Sequence, residues 1–160
     1  MSPVVLIVDP DPRILPVWSK LAIDAGWSPV VETTFVAARR ELEARRPAAL
    51  VAKVRLGMFN AIQLAYLTKL KTPSARVVLY GDDNDAPLGA EVQAAGGFYE
   101  RVEFLEHSLM SYLRSPLPDK DRRNVWTIDR RNVFRGGRRV TDAAVVRRSA
   151  AVSQRTAASL

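Results

Sequence analysis

The sequence predicts a doubly wound α/β domain, a five-stranded parallel sheet with helices on both faces. Three observations carry this. Strand-like and helix-like segments alternate five times before residue 115. The first and third strand segments are unbroken apolar runs, as strands covered on both faces require. Helix caps and breakers punctuate the pattern where each segment should end. Repeated strand-then-helix units close into a parallel sheet by right-handed crossovers.

The elements follow in order. Val4–Val8 is the first apolar run, and Ile14, Leu15, Trp18, Leu21 and Ala22 then recur at helical spacing between Pro12 and Ala25. Gly26 supplies a stop after that helix. Ser28–Glu32 reads as a short second strand, and Thr33 or Thr34 can cap the helix FVAARRELEARR, which Pro47 ends. Ala48–Val54 is the third strand, followed by a loop and a helix over Asn60–Leu70 with Ala61, Leu64, Ala65 and Leu67 inward. Arg76–Tyr80 is the fourth strand, and Asp85 caps a short helix reaching Ala95. Gly97–Arg101 and Phe104–Leu113 complete the pattern, and SPLP at 115–118 closes the domain.

Composition narrows the chemistry. The 160 residues fit one domain, 1–118, plus an extension, 119–160. With no cysteine and a single histidine, His107, thiolate metal sites, His-based zinc sites and Ser-His-Asp catalysis are not expected. No apolar run approaches the ~18–20 residues of a membrane span. The start MSPVVLIVDPDP lacks the basic region of a signal peptide, so the expectation is a cytoplasmic protein without membrane association. Residues 1–118 balance 13 Lys/Arg against 13 Asp/Glu, whereas residues 119–160 carry 11 against 4, so the whole net charge of +7 lies in the extension.

The stretches VVLIVDPDP (4–12) and LVAKVRLGMFNAIQL (50–64) resemble the first and third strands of response-regulator receiver domains. That family has an acidic pair after the first strand and the phosphorylated aspartate at the end of the third, followed by a loop such as L-R-L-P-G-M-D-G. The resemblance covers residues 3–115 and implies the flavodoxin-like strand order 2-1-3-4-5. It places Asp9 on the first acid, Pro10 on the second with Asp11 beside it, and Lys53 on the phosphoacceptor. Tyr80 in LYGDD falls on the family's Thr or Ser. In AAGGFYERVEF, Val102 falls on the family's phosphate-pairing lysine, and a slip of one residue puts Arg101 there. Tyr99 falls on the aromatic switch position, and reads equally well as an ordinary half-buried strand tyrosine.

An ammonium cannot accept a phosphoryl group as a carboxylate does, so the resemblance implies a receiver fold stripped of its chemistry. No cofactor, metal or catalytic residue is expected. Lys53 either pairs with Asp9 or Asp11 in place of a metal, or points to solvent. Asp82, Asp83 and Asp85 read as a solvated loop with a helix cap, His107 as a surface residue, and Trp18 and Trp27 as packing for the first helix. The family's recognition face would here include Tyr99, Glu100, Arg101, Glu106, Met110 and Tyr112. The expected role is a phosphorylation-independent pseudo-receiver that binds another protein in bacterial two-component or phosphorelay signalling, with homodimerisation open.

The extension supports a second reading. Residues 125–140 parse as a small hairpin about Gly136-Gly137, with a weak helix or disorder after it. WTIDRRNVFRGGRRVT resembles the opening strands of the DNA-binding domain of winged-helix response regulators, but residue 160 falls where the recognition helix would follow, so major-groove readout is not expected. Arg122, Arg123, Arg130, Arg131, Arg135, Arg138 and Arg139, interleaved with Trp126 and Phe134, suit contact with phosphates and bases. The alternative function is therefore a nucleic-acid-associated regulator whose receiver serves dimerisation or control.

Overall fold

The structure, a computed structural model, describes residues 1–117. The basic extension, with its expected hairpin, helix and anion-binding arginines, lies outside the described residues. The first half runs β1 (Val4–Val8), α1 (Leu15–Asp24), β2 (Ser28–Glu32), α2 (Phe35–Arg45), β3 (Ala49–Lys53), β4 (Arg55–Leu56) and β5 (Phe59–Asn60). It continues with α3 (Ile62–Lys71), β6 (Arg76–Gly81), α4 (Ala86–Ala94), β7 (Phe98–Arg101) and α5 (Val102–Arg114).

Five strands form one parallel sheet in the order β2-β1-β3-β6-β7. Counting main strands alone, this is the expected 2-1-3-4-5. Alternation along β1 divides the core: Val5 and Ile7 pack with Leu15, Trp18, Leu105 and Leu109 of α1 and α5. Leu6 and Val8 face the other way, in the core shared by α2, α3 and α4. Each fully buried Leu or Ile contributes about 1.5–3 kcal/mol, so both layers are strongly held. No helix among the described residues is long and apolar enough to cross a membrane.

Several ends follow from local chemistry. Thr34 caps α2, its hydroxyl accepting from the Ala37 N–H at 3.2 Å, and Asp85 caps α4 through the Leu88 N–H at 3.0 Å. Gly26 ends α1 with φ of +90°, a left-handed conformation that costs glycine little. One expectation needs correction. Residues 55–60 are a two-strand antiparallel hairpin and not a loop, with Gly57 at φ +64° in its turn. Phe59 stacks on Phe35 of α2 at 4.7 Å. The hairpin takes Asn60 out of α3, whose first residue Ile62 donates its N–H to the Asn60 side chain at 2.9 Å.

Candidate functional site at the carboxyl ends of the strands

Asp9 follows β1, Lys53 ends β3, Tyr80 lies next to last in β6 and Arg101 ends β7, so the sheet brings the expected site residues to one edge. Lys53 and Tyr80 are register partners, as are Gly81 and Arg101. Doubly wound sheets bind ligands in this crevice.

Within it, the charged residues divide into separate pairs. Asp9 is 2% exposed. One of its oxygens accepts the Tyr80 hydroxyl at 2.5 Å and the other accepts the Asp11 N–H at 2.7 Å. The Tyr80 oxygen in turn accepts the Trp18 indole N–H at 3.0 Å, and the two rings meet edge to face. Asp11 turns outward to Arg13, whose guanidinium and backbone N–H hold the carboxyl down at about 2. Lys53 pairs with Asp82 at 3.4 Å. Arg101 pairs with Glu103 and lies over the Phe104 ring at 5.3 Å.

These pairings correct the expected partners of Lys53. Neither Asp9 nor Asp11 is its ion-pair partner: Tyr80 already occupies Asp9, and Arg13 occupies Asp11. Lys53–Asp82 is a partly exposed single contact, and such pairs contribute roughly 0–1 kcal/mol. Lys53→Ala should therefore cost under about 1 kcal/mol in denaturant unfolding. A larger loss would mean that the ammonium supports more than Asp82. Val102 opens α5 and packs with the α1 and α5 core, so it brings no charge to the crevice. Among the described residues no three carboxylate or imidazole side chains converge.

Three members of the expected recognition face are buried, which is a second correction. Tyr99, Glu100 and Tyr112 are 1%, 2% and 4% exposed, leaving Arg101, Glu106 and Met110 at least partly accessible. Glu100 faces α5 and accepts the Tyr112 hydroxyl, and its other oxygen accepts the Arg101 N–H at 3.1 Å. Tyr99 crosses Gly81 and donates to the Asp83 carbonyl at 2.7 Å. It lines a cleft of about 120 Å³ with Lys53, Arg55, Gly81, Asp82 and Asp83. Sequence reasoning singled out Tyr80 and Asp9 separately and missed their contact, because residues 71 apart carry no local signal of meeting.

The tyrosines give the site a pH signature. Burial, and then the bond to Asp9, pushes the Tyr80 phenol far above the ordinary 10.0. Burial first, with the Asp85, Asp83 and Asp82 carboxylates, pushes Tyr99 up to about 12. Above pH 10 the unfolded phenols lose protons that the folded ones keep, so the native state binds more protons and stability must fall as pH rises. The decline should run from about pH 10 through about 12 for Tyr99 and further for Tyr80. Denaturant midpoints of wild type and Tyr80→Phe over that range check this, the variant giving the shallower slope.

No protein-family model and no curated protein matches the sequence. The described fold is nonetheless similar to many solved structures. The chemotaxis response regulator CheY4 of Vibrio cholerae aligns with a TM-score of 0.62 at 16% identity, over 71% of this chain and 98% of its own. A CheY-like receiver domain protein of Methanospirillum hungatei aligns with a TM-score of 0.65 at 15% identity, over 71% and 92%. DrrB of Thermotoga maritima, an OmpR/PhoB homologue, aligns with a TM-score of 0.61 at 20% identity, over 69% of this chain, which spans half of DrrB's length. The described part of the chain therefore has the fold of response-regulator receiver domains.

Proposed function

We propose that the chain is a cytoplasmic, phosphorylation-independent pseudo-receiver that works by binding another protein in bacterial two-component signalling. One observation supports the reading: Asp9, the acid that the resemblance assigns to Mg²⁺, is already bonded to Tyr80, while Lys53, which the resemblance puts at the phosphoacceptor, ends β3 paired with Asp82. Magnesium demands several oxygen ligands in near-octahedral geometry. Here one acid is taken by a phenol, a second is turned to Arg13, and a cation stands where the third would be. The domain then performs no phosphoryl transfer and holds one state without a donor.

Beryllofluoride with Mg²⁺, which mimics a phosphorylated aspartate, tests this by NMR. Amide signals around Asp9, Lys53 and Tyr80 should stay unmoved. Saturable shifts there would overturn the proposal.

The charge of residues 119–160 favours a second reading, a nucleic-acid-associated regulator. Binding of labelled DNA or RNA by the full chain would then weaken at least about tenfold between 50 and 200 mM salt, as release of several counterions requires.

A further inference from the structure

Residues 1–118 are neutral as a whole, but their charges are separated in space. Residues 34–75, which build α2, the β4–β5 hairpin and α3, carry eight Lys/Arg and two Asp/Glu, a net +6. Residues 76–117, which build β6, α4, β7 and α5, carry three and seven, a net −4. α2 packs over β1 and β2 at one side of the sheet, and β7 is the strand at the opposite edge. α3 contacts α2, β6 and α4, so the net charge passes from basic at α2 to acidic toward β7.

Much of this charge is uncommitted. Among the described residues Arg40, Arg46, Arg55 and Lys71 are exposed and have no ion-pair partner. The same holds for Asp83, Glu91 and Glu106 on the acidic side. The basic side also exposes apolar groups: Met58 at 98%, Leu70 at 78%, Tyr66 at 52% and Phe59 at 46%. The Phe35–Phe59 stack joins α2 to the hairpin, and Tyr66 and Leu70 lie on α3, which packs against α2. Methionine, leucine and aromatics ringed by cations make a protein-binding surface, whereas a phosphate backbone gives leucine and methionine nothing to pack on.

We infer that the domain self-associates head to tail, the basic α2–hairpin–α3 surface of one copy docking on the acidic α4–β7–α5 surface of the next. Charge complementarity selects the occupant, because the acidic counterpart is present on the same fold. Opposed fields steer the encounter and fix its orientation, while the apolar groups supply contact area. Two different surfaces meet, so the contact is heterologous, and copies can add in series without closing into a dimer. The inference rests on surface charge and not on the state of the phosphorylation site.

Sedimentation of the full chain tests it. At ~20 mM salt the average mass should climb with concentration past that of a dimer, and at ~300 mM salt it should return to monomer as screening shortens the reach of the charges. Two double variants then separate the surfaces. Arg40→Glu with Lys71→Glu strips most of the basic excess, and Glu91→Lys with Glu106→Lys cancels the acidic one. All four positions are exposed, so thermal melting should confirm folding. Each variant alone should be monomeric at low salt, and an equal mixture should form a dimer and stop there, each protein supplying one intact surface. Three results would overturn the inference. The wild type could stay monomeric at low salt. The Arg40/Lys71 variant could associate like the wild type, which would assign the basic element to residues 119–160. The mixture could fail to associate, which would leave no head-to-tail contact.

Discussion

Tyr80→Phe is expected to lower the unfolding free energy by about 2–4 kcal/mol through the loss of one oxygen atom. That oxygen donates to the Asp9 carboxylate and accepts the Trp18 indole N–H. Without it, Asp9 keeps only the Asp11 N–H, and the indole loses its acceptor. Both groups are 2% exposed, so water cannot readily replace the phenol. A stranded buried polar group costs about 1–3 kcal/mol, and more when it is charged. The ring stays in its place against Trp18, so packing should change little. The denaturant midpoint should fall with an unchanged slope. Combining Tyr80→Phe with Asp9→Asn should cost less than the sum of the two, because the second substitution removes the charge that the first leaves exposed to a dry site. Strict additivity would remove the Trp18–Tyr80–Asp9 chain as an energetic unit.

That chain also explains why Lys53 does not take a metal's place beside Asp9. Lys53 ends β3, and the resemblance makes Asp9 and Asp11 the acids that its ammonium would pair with. The strand register puts Tyr80 beside it on the same face of the sheet, and the phenol extends along that face to the buried acid. A buried carboxylate is satisfied by a neutral donor at less desolvation cost than by a second buried ion. Lys53 keeps its ammonium near water and takes Asp82 instead.

What was legible followed from local rules. The apolar runs of β1 and β3, the Thr34 and Asp85 caps and the Gly26 stop all depend on neighbours within a few residues. The start of α3 is not legible because a two-residue strand has too little pattern to read, and Gly57 reads as an ordinary loop residue. Tyr99, Glu100 and Tyr112 fall on a surface only through the family resemblance, which carries no information on how this chain pairs them. Here Glu100 and Tyr112 satisfy each other under α5, which lets both be buried. No spacing rule shows a pairing between a strand and the helix that follows it.

The second large effect is expected at Gly81, where the absent side chain is the functional feature. A Cβ there would overlap the Tyr99 hydroxyl and stand 3.3 Å from both the Tyr99 ring carbon that bears it and a Val54 methyl. Val54 is held in the core between the sheet and its helices, so Tyr99 must yield. Gly81→Ala should therefore swing the phenol out of its position, break its bond to the Asp83 carbonyl and cost about 1–3 kcal/mol, the usual range for overpacking. Tyr99→Phe removes only the hydroxyl and that bond, a loss of about 0.5–1.5 kcal/mol, so the difference between the two variants isolates the steric part. Release into solvent should also bring the Tyr99 phenol down from about 12 toward the ordinary 10.0, because burial is the largest cause of its elevation. NMR titration of tyrosine ring carbons reads that change directly. An unshifted Tyr99 in the alanine variant would mean that β6 moves instead of the ring, and that the glycine is not what admits Tyr99 to the cleft.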